Sequence, residues 1–273
     1  MVLPSMTDST NGASSNLPVR TSELFNAPDA DVVFHSSDNV QFRLHKKNLE
    51  CTTGAFPPAE TPTSPDEIVQ LIESASTLEI MFQFIYPRPT PDLCKMDFQP
   101  LMLLAEAAEK YAVFALISSC RYSLKSFLNA YPVQILKFAA RHDYNEIVEE
   151  LAPILLDIPL SELPDSLPSH IYKQWSIYRE RWMMALVHAV RAPQHKCGQW
   201  SNILPDILSS ISSVNLSQLR SLRYVDLIFE EYETPYARHP HSNRLPKCCF
   251  RDLHEWKAKI MNEVAAIPPF MLP

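Results

Sequence analysis

The sequence predicts an α+β fold, in which a small three-stranded sheet with helices is followed by an all-helical C-terminal region. Residues 31–35 and 40–44 are two short apolar segments separated by the turn-forming residues 36–39 (SSDN), and apolar residues alternate in the second segment. This pattern predicts a β-hairpin with one buried face. Beyond Phe127, apolar residues recur at helical spacing and no convincing strand pattern follows, which predicts the helical region.

The remaining elements of the first half follow in order along the chain. A short helix should follow His45 and end near Gly54, before the proline-rich residues 57–65, which should form a loop. Residues 67–73 contain a short apolar run that suits a third strand. Three helical patterns come next, at residues 78–85, 101–112 and 114–127.

The second half contains further helical patterns. Pro132 stands where a helix should begin, and Pro153 should limit the one after it. Residues 171–189 carry apolar side chains at alternating steps of four and three, which predicts one long helix. We interpret this stripe as core rather than as a surface for a partner helix. Two more helices are predicted, at residues 216–230 and 250–265.

Composition excludes several classes of function. A net charge of −7 gives no general attraction to phosphate backbones or anionic lipid, so we expect neither nucleic acid nor membrane as a partner. With only three glycines, the 273-residue chain cannot form a glycine-rich phosphate loop or a G-x-S-x-G nucleophile elbow. We therefore predict no enzyme, no catalytic residues and no cofactor.

The start of the chain and the cysteines indicate a compartment. The N-terminal residues have neither a basic start nor an apolar segment, and no stretch is apolar for the roughly 20 residues that a membrane span requires. Six cysteines are scattered through the chain rather than densely spaced. We expect a soluble, unsecreted protein with free thiols, in the cytoplasm or nucleus.

Four segments of the first half carry a resemblance to a known family. They are residues 31–34 (DVVF), 42–46 (FRLHK), 82–86 (FQFIY) and 104–111 (LAEAAEKY). In this order and spacing they resemble BTB/POZ domains, and the chain is most similar to the stand-alone BTB proteins of higher fungi. The helical stretch from Tyr131 resembles the BACK-like extension that follows many BTB domains. The resemblance divides the chain into a disordered tail (1–24), a BTB/POZ-like domain (25–127), a BACK-like helical extension (131–190) and an uncharacterised helical region (191–273).

The resemblance implies an adaptor or scaffold that binds proteins, commonly a second BTB domain in a homodimer. It assigns protein-interaction roles to Asp31, His45, Lys46 and Tyr111. Asp31 and Lys46 occupy the places where many BTB domains hold a charged pair at the dimer interface; alternatively, Asp31 caps the strand and Lys46 is a solvated helix residue. Residues 56–58 (FPP) should shorten a helix that supplies much of the usual dimer contact.

Two other functions remain as alternatives. BTB proteins with a BACK extension often resemble substrate adaptors of cullin-type ubiquitin ligases. In this chain Met102 occupies the position where such adaptors carry an acidic residue, which departs from the cullin-binding pattern. The alternative from another class is an enzyme with an unrecognised site in the C-terminal half.

One group of residues could bind a metal. Thiolates and imidazoles are the usual zinc ligands, but this group has no Cys-x-x-Cys pair, and adjacent cysteines seldom both bind one ion. We therefore predict no metal site and interpret the thiols as surface and core groups, with zinc as the alternative that metal analysis would decide. The group consists of His195, Cys197, Cys248, Cys249 and His254.

Overall fold

A computed structural model describes residues 18–62, 67–163, 167–233 and 246–272. The chain divides into two compact units, Met1–Ser126 and Phe127–Pro273. Strands lie in the first unit and helices dominate thereafter, so the predicted α+β class is confirmed. Among the described residues, no helix is both long enough and apolar enough to cross a membrane.

The described part of the first unit contains one sheet of four strands in the order β1-β3-β2-β4. The β2–β3 pair is antiparallel, whereas β1 pairs with β3 and β4 pairs with β2 in parallel. The two outer strands of this sheet are therefore β1 and β4. The strands are β1 (Arg20–Asn26), β2 (Val32–His35), β3 (Val40–Leu44) and β4 (Ile68–Gln70).

The predicted hairpin is formed by β2 and β3. Its alternation is confirmed, because Val40, Phe42 and Leu44 are all buried. The backbone N–H of Ser36 donates to the carbonyl of Val40 at 2.9 Å, and Asn39 between them has a φ of 60°. Asparagine tolerates this left-handed conformation better than most residues, so the turn chemistry agrees with the fold.

The fourth strand, β1, corrects two predictions. The sheet has four strands rather than three, and the predicted tail over residues 1–24 extends too far, because Arg20–Asn26 is a strand. The buried positions of β1 are Ser22 and Phe25, three residues apart, because the pairing register shifts between Thr21 and Asn26. An irregular strand with a buried serine lacks the period of two on which the prediction depended. Residues 1–17 lie outside the described part of the chain.

The helices of the first unit agree with the predicted order. Residues 57–62 form neither helix nor strand, as predicted for the loop, while 63–65 lie outside the described residues. No second helix follows the short first one between residues 53 and 62, in agreement with the shortening expected at residues 56–58. The α-helices of its described residues are α1 (Lys46–Thr52), α2 (Ala75–Gln83), α3 (Phe98–Lys110) and α4 (Phe114–Leu124).

Among its described residues, the second unit contains helices and their connecting segments but no strand. The heptad stripe of α7 is buried at each predicted position, which confirms its interpretation as core. The predicted segments 131–190 and 191–273 fall in this one compact unit. Its helices are α5 (Pro132–Arg141), α6 (Asn145–Leu151), α7 (Ser169–Ala189), α8 (Gly198–Ser212), α9 (Leu216–Leu219), α10 (Leu222–Glu233) and α11 (Lys247–Ala265).

Two features of this unit differ from the sequence-based expectation. Helix α8 is not among the individually predicted helices, and Pro205 lies inside it. The single helix expected at 216–230 is instead the pair α9 and α10, because the Ser221 carbonyl accepts from the Tyr224 backbone N–H at 2.8 Å and begins a new helix. Serine is a favoured residue at such a helix start.

A close backbone contact joins the end of α1 to the turn between α3 and α4. The Gly54 N–H donates to the Ala112 carbonyl at 3.0 Å, and Thr53 pairs with Val113 in an antiparallel bridge. Ala112 has a φ of 49°, in the left-handed region that disfavours a Cβ atom. A Cβ added to Gly54 would lie 3.1 Å from the Ala112 Cβ and 3.3 Å from the Phe114 ring.

We predict that Gly54→Ala destabilises the first unit by about 1–2 kcal/mol, because the backbone contacts would hold the new Cβ of residue 54 too close to the Cβ of Ala112. Ala112→Gly in the same chain should recover most of this loss, because it removes the opposing Cβ and suits the left-handed backbone. Thermal unfolding of both single variants and the double variant measures the coupling. Strictly additive effects would contradict the proposed steric contact.

Candidate functional site

Asp31 and Lys46 meet at the start of α1. The Asp31 carboxylate accepts a hydrogen bond from the Lys46 backbone N–H at 2.7 Å, and Lys46 is the first residue of that helix. His45, at the N-cap position, makes no side-chain capping hydrogen bond, so Asp31 supplies the acceptor from a distant part of the chain. The Lys46 ammonium donates to the carbonyl of Thr61 at 2.8 Å. Asp31 thus caps a helix rather than a strand, and Lys46 ties α1 to the following loop.

His45 belongs to the same group. Its Nδ1 lies 3.0 Å from the Tyr86 hydroxyl, which also accepts the His45 backbone N–H at 2.9 Å, and its Nε2 lies 3.3 Å from Asp29. Burial raises the pKa of Tyr86, although the His45 backbone amide opposes this shift. The Tyr86 hydroxyl therefore remains protonated, and the His45 ring lies between Tyr86 and Asp29, with one nitrogen facing each.

Tyr111 belongs to a second polar group, centred on Glu73. The Tyr111 hydroxyl donates to one Glu73 oxygen at 2.6 Å, and the Lys110 ammonium donates to the other at 2.8 Å. The Tyr111 ring stacks on Phe56, with ring centres 5.2 Å apart and planes within 9°. Tyr111 is a buried anchor, with its hydroxyl and its ring both engaged within the first unit.

Ionisation in the Glu73 group is strongly biased. Burial opposes ionisation of Glu73, but hydrogen bonds from Lys110 and Tyr111 outweigh it and hold its pKa below the ordinary value of 4.5. Burial, together with the hydrogen bond to Glu73, raises the pKa of Tyr111 to about 12. At neutral pH the group is therefore a carboxylate held by one phenol and one ammonium.

The fold also assembles four of the five residues considered as metal ligands. His195, Cys197, Cys248 and Cys249 each offer one donor atom, and these four atoms all lie within 4.8 Å of one another. We call this group the Cys3His cluster. His254 lies outside it: its Nδ1 is 3.7 Å from a Glu233 carboxylate oxygen.

Two helix starts position the thiols of the Cys3His cluster. Cys197 is the residue immediately before α8, and Cys248 and Cys249 lie in the first turn of α11. His195 lies between Cys249 and Asp252: its Nε2 is 3.4 Å from the Cys249 sulfur, and its Nδ1 is 2.6 Å from an Asp252 oxygen. The group therefore has three sulfur donors, one imidazole nitrogen and a carboxylate behind the imidazole.

The thiols differ in their acidity. The backbone amides of Gln199 and Trp200 at the start of α8 lower the pKa of Cys197 to about 7. Burial raises the pKa of Cys249 to about 12, and the neighbouring thiols Cys197 and Cys248 contribute to this shift to a smaller extent. The cluster thus contains one readily ionised sulfur beside one that keeps its proton.

Comparison with family models, curated proteins and solved structures found no match to this chain. The resemblance to BTB/POZ domains therefore stays a prediction. Five charged or hydroxyl-bearing members of these groups are absent from the sequence-based site prediction: Asp29, Glu73, Tyr86, Lys110 and Asp252. Only Asp252 could have been identified from the sequence, because it stands three residues after Cys249 and therefore shares a helix face with it.

We predict that the Glu73 group contributes stability that depends on pH. Because the folded pKa of Glu73 is depressed, this contribution is fully present above pH 4.5 and is lost as pH falls through the folded pKa. Tyr111→Phe should cost about 1.5 kcal/mol at neutral pH, because it removes a hydrogen bond to a charged acceptor. Urea unfolding between pH 3 and 7 tests this, roughly spanning the carboxyl titration range. Glu73→Gln is the control, and an unchanged acid dependence in that variant would contradict the assignment.

We predict that Asp31 stabilises the fold through the hydrogen bond that its side-chain oxygen accepts, and not through its negative charge. Asp31→Asn retains an oxygen acceptor for the Lys46 N–H and should be nearly neutral, whereas Asp31→Ala should cost about 1 kcal/mol. Chemical unfolding compares the two variants. Self-association measured on the same samples tests the charged pair: loss of association in Asp31→Asn, with stability intact, would assign a role at an interface to the charge itself.

Proposed function

We propose that this protein is an adaptor or scaffold of the cytoplasm or nucleus that binds other proteins through a BTB/POZ-like first unit. Its action is binding rather than catalysis, and a second copy of the same unit is one partner. The BTB/POZ resemblance of residues 25–127 motivates this proposal. The observation that carries it is the apolar character of the sheet edges.

The edge at β4 is exposed and aliphatic. Within the described sheet, β4 is an outer strand that pairs only with β2. Ile68 in this strand is 45% exposed, and Ile72 just beyond it is 78% exposed. Edge strands offer unpaired backbone groups to another chain, and proteins that remain single usually protect such edges with charge or proline. Glu67, directly before Ile68, is exposed at this edge, but the two exposed isoleucines that follow it favour docking of a partner.

The opposite edge has the same character. Val19 and Leu24, beside and within β1, are both more than half exposed. Helices α3 and α4 add Leu103, Phe114 and Tyr122, which are exposed as well. Single exposed apolar residues are common, but this unit carries them on both outer strands and on two helices. These exposed apolar surfaces favour a first unit that other protein chains cover when the protein is functional.

We predict that Ile68→Thr combined with Ile72→Lys weakens self-association by about tenfold or more, since a loss of about 1.4 kcal/mol has that effect. Threonine keeps β-branching, so the strand itself should persist. Light scattering of the full chain over a concentration series provides the measurement. Met183→Lys with Val187→Lys, on exposed positions of α7, is the matched control and should leave association unchanged.

The same variants, tagged and expressed in cells, test binding to other proteins by quantitative mass spectrometry. Partners that depend on the first unit should be lost with the β4 change and kept with the α7 change. A cullin among them would identify a ubiquitin-ligase adaptor. A wild-type chain that is monomeric at every concentration, with the same co-purifying proteins for both variants, would overturn the proposal.

A further inference from the structure

We propose that His195, Cys197, Cys248 and Cys249 form a tetrahedral zinc site that stabilises the second unit. Among the residues that the structure describes, this is the one group of metal-ligating side chains with its donor atoms gathered at a single point. Three sulfurs and one imidazole nitrogen form a ligand set typical of structural zinc. Because four protein ligands complete the tetrahedron, the site would hold the metal for stability rather than for catalysis.

The distances suit a zinc ion. Zinc–sulfur bonds of about 2.3 Å and zinc–nitrogen bonds of about 2.0 Å place the donors of a tetrahedral site roughly 3.5–3.8 Å apart. The Nε2 of His195 lies 3.4 Å from the sulfur of Cys249, and all four donors lie within 4.8 Å. The donor separations therefore exceed the tetrahedral spacing by at most about 1 Å.

Asp252 orients the histidine for this role. Its carboxylate oxygen is 2.6 Å from Nδ1 of His195, so Nδ1 carries the proton and the Nε2 lone pair faces the sulfurs. Zinc-bound histidines usually donate their second ring nitrogen to a carboxylate in this way, which fixes the tautomer and strengthens the ligand. Arg251 in turn donates to the other Asp252 oxygen at 3.3 Å. Asp252 is therefore a positioning residue of the site.

The helix starts also favour bound thiolates. Cys197 precedes α8, and Cys248 and Cys249 lie in the first turn of α11, where unpaired backbone N–H groups carry partial positive charge. The objection to adjacent cysteines does not hold at this helix start. Cys248 is exposed and Cys249 is buried, yet both sulfurs reach the same donor group.

The site would link parts of the chain that are far apart in sequence. His195 and Cys249 are separated by 54 residues. The imidazole lies 5.3 Å from the Trp200 ring, and Trp200 in turn lies 6.3 Å from Trp256 on α11. A metal bound here would join the starts of α8 and α11 beside their shared aromatic core, so that its binding energy adds to the stability of the unit.

The test uses the full chain, expressed with added zinc and purified under mild reduction without chelator. Elemental analysis should find one zinc ion per chain. Replacement by Co²⁺ should give the visible bands of a tetrahedral site and a thiolate-to-cobalt charge-transfer band. A chelator should lower the melting temperature of this protein.

Variants at exposed and half-exposed positions separate binding from folding. Cys248→Ser should lose stoichiometric zinc. Cys248→His should retain zinc, because histidine is also a zinc ligand, but its cobalt form should show a weaker thiolate charge-transfer band, because one thiolate is lost. Asp252→Asn should lower zinc affinity by about 10- to 100-fold. His254→Ala on α11 and Cys51→Ser in the first unit are the matched controls, and both should bind zinc as the wild type does.

Three results would overturn the proposal. The first is wild-type protein without stoichiometric zinc and without tetrahedral cobalt bands. The second is zinc that stays bound in His195→Ala and Cys248→Ser alike. The third is a disulfide within the cluster, detected by mass spectrometry in protein kept reduced, because a disulfide would remove two of the three thiolate ligands.

Discussion

The ring of Phe82 on α2 is the contact on which the first unit depends. It lies 5.2 Å from Phe42, 5.7 Å from Phe25 and 5.8 Å from Phe34, measured between ring centres. These three partners come from β3, β1 and β2 respectively, so one helical side chain holds three strands to the same core. Aromatic pairs of this kind add about 0.5–1.5 kcal/mol each beyond the burial of their surface. The sheet is thus anchored at its centre, and it is the two outer edges that we propose for contact with other chains.

An aromatic cluster has the corresponding role in the second unit. Trp256 of α11 lies 5.5 Å from Phe229 of α10 and 6.3 Å from Trp200 of α8, and its indole N–H donates to the Ala189 carbonyl at the end of α7. Three helices are thereby tied to the indole of a fourth. This packing sets the starts of α8 and α11 side by side, which is what brings Cys197 to Cys249. The geometry of the Cys3His cluster is a consequence of the core and does not depend on local cysteine spacing.

The sequence predicts those parts of the fold in which burial follows a regular period. Val40, Phe42 and Leu44 alternate, and Trp175, Tyr178 and Trp182 follow a helical stripe, so strand β3 and helix α7 are recognisable without a structure. Strand β1 is not, because its buried residues are Ser22 and Phe25 and its register shifts. Local pattern places Lys46 in a helix and Asp31 at the start of a strand, but it does not show that the Asp31 carboxylate caps that helix across the hairpin.

The Cys3His cluster shows the same limit more sharply. Sequence motifs identify metal ligands that lie close together on one local element. Here the sulfurs come from two separate helix starts, and His195 comes from a connecting segment. From spacing alone, the adjacent residues Cys248 and Cys249 are not expected to bind the same ion. His254 is a candidate metal ligand because it is close to them in sequence. In the structure both sulfurs lie within 4.8 Å of the other two donor atoms, and Cys249 and Asp252 share a face of α11 toward His195. His254 instead turns toward Glu233.

The two proposals also require the same chemical environment. A site with three zinc thiolates persists only where thiols stay reduced, which is the condition of the cytoplasm and nucleus rather than of the secretory route. All six cysteines are unbridged in the structure, including the exposed Cys51 and Cys94 of the first unit. In an oxidising compartment such exposed thiols could cross-link chains that meet at the apolar sheet edges. A reducing compartment would therefore suit both the reversible association that we propose through those edges and the thiolate cluster that we propose for zinc.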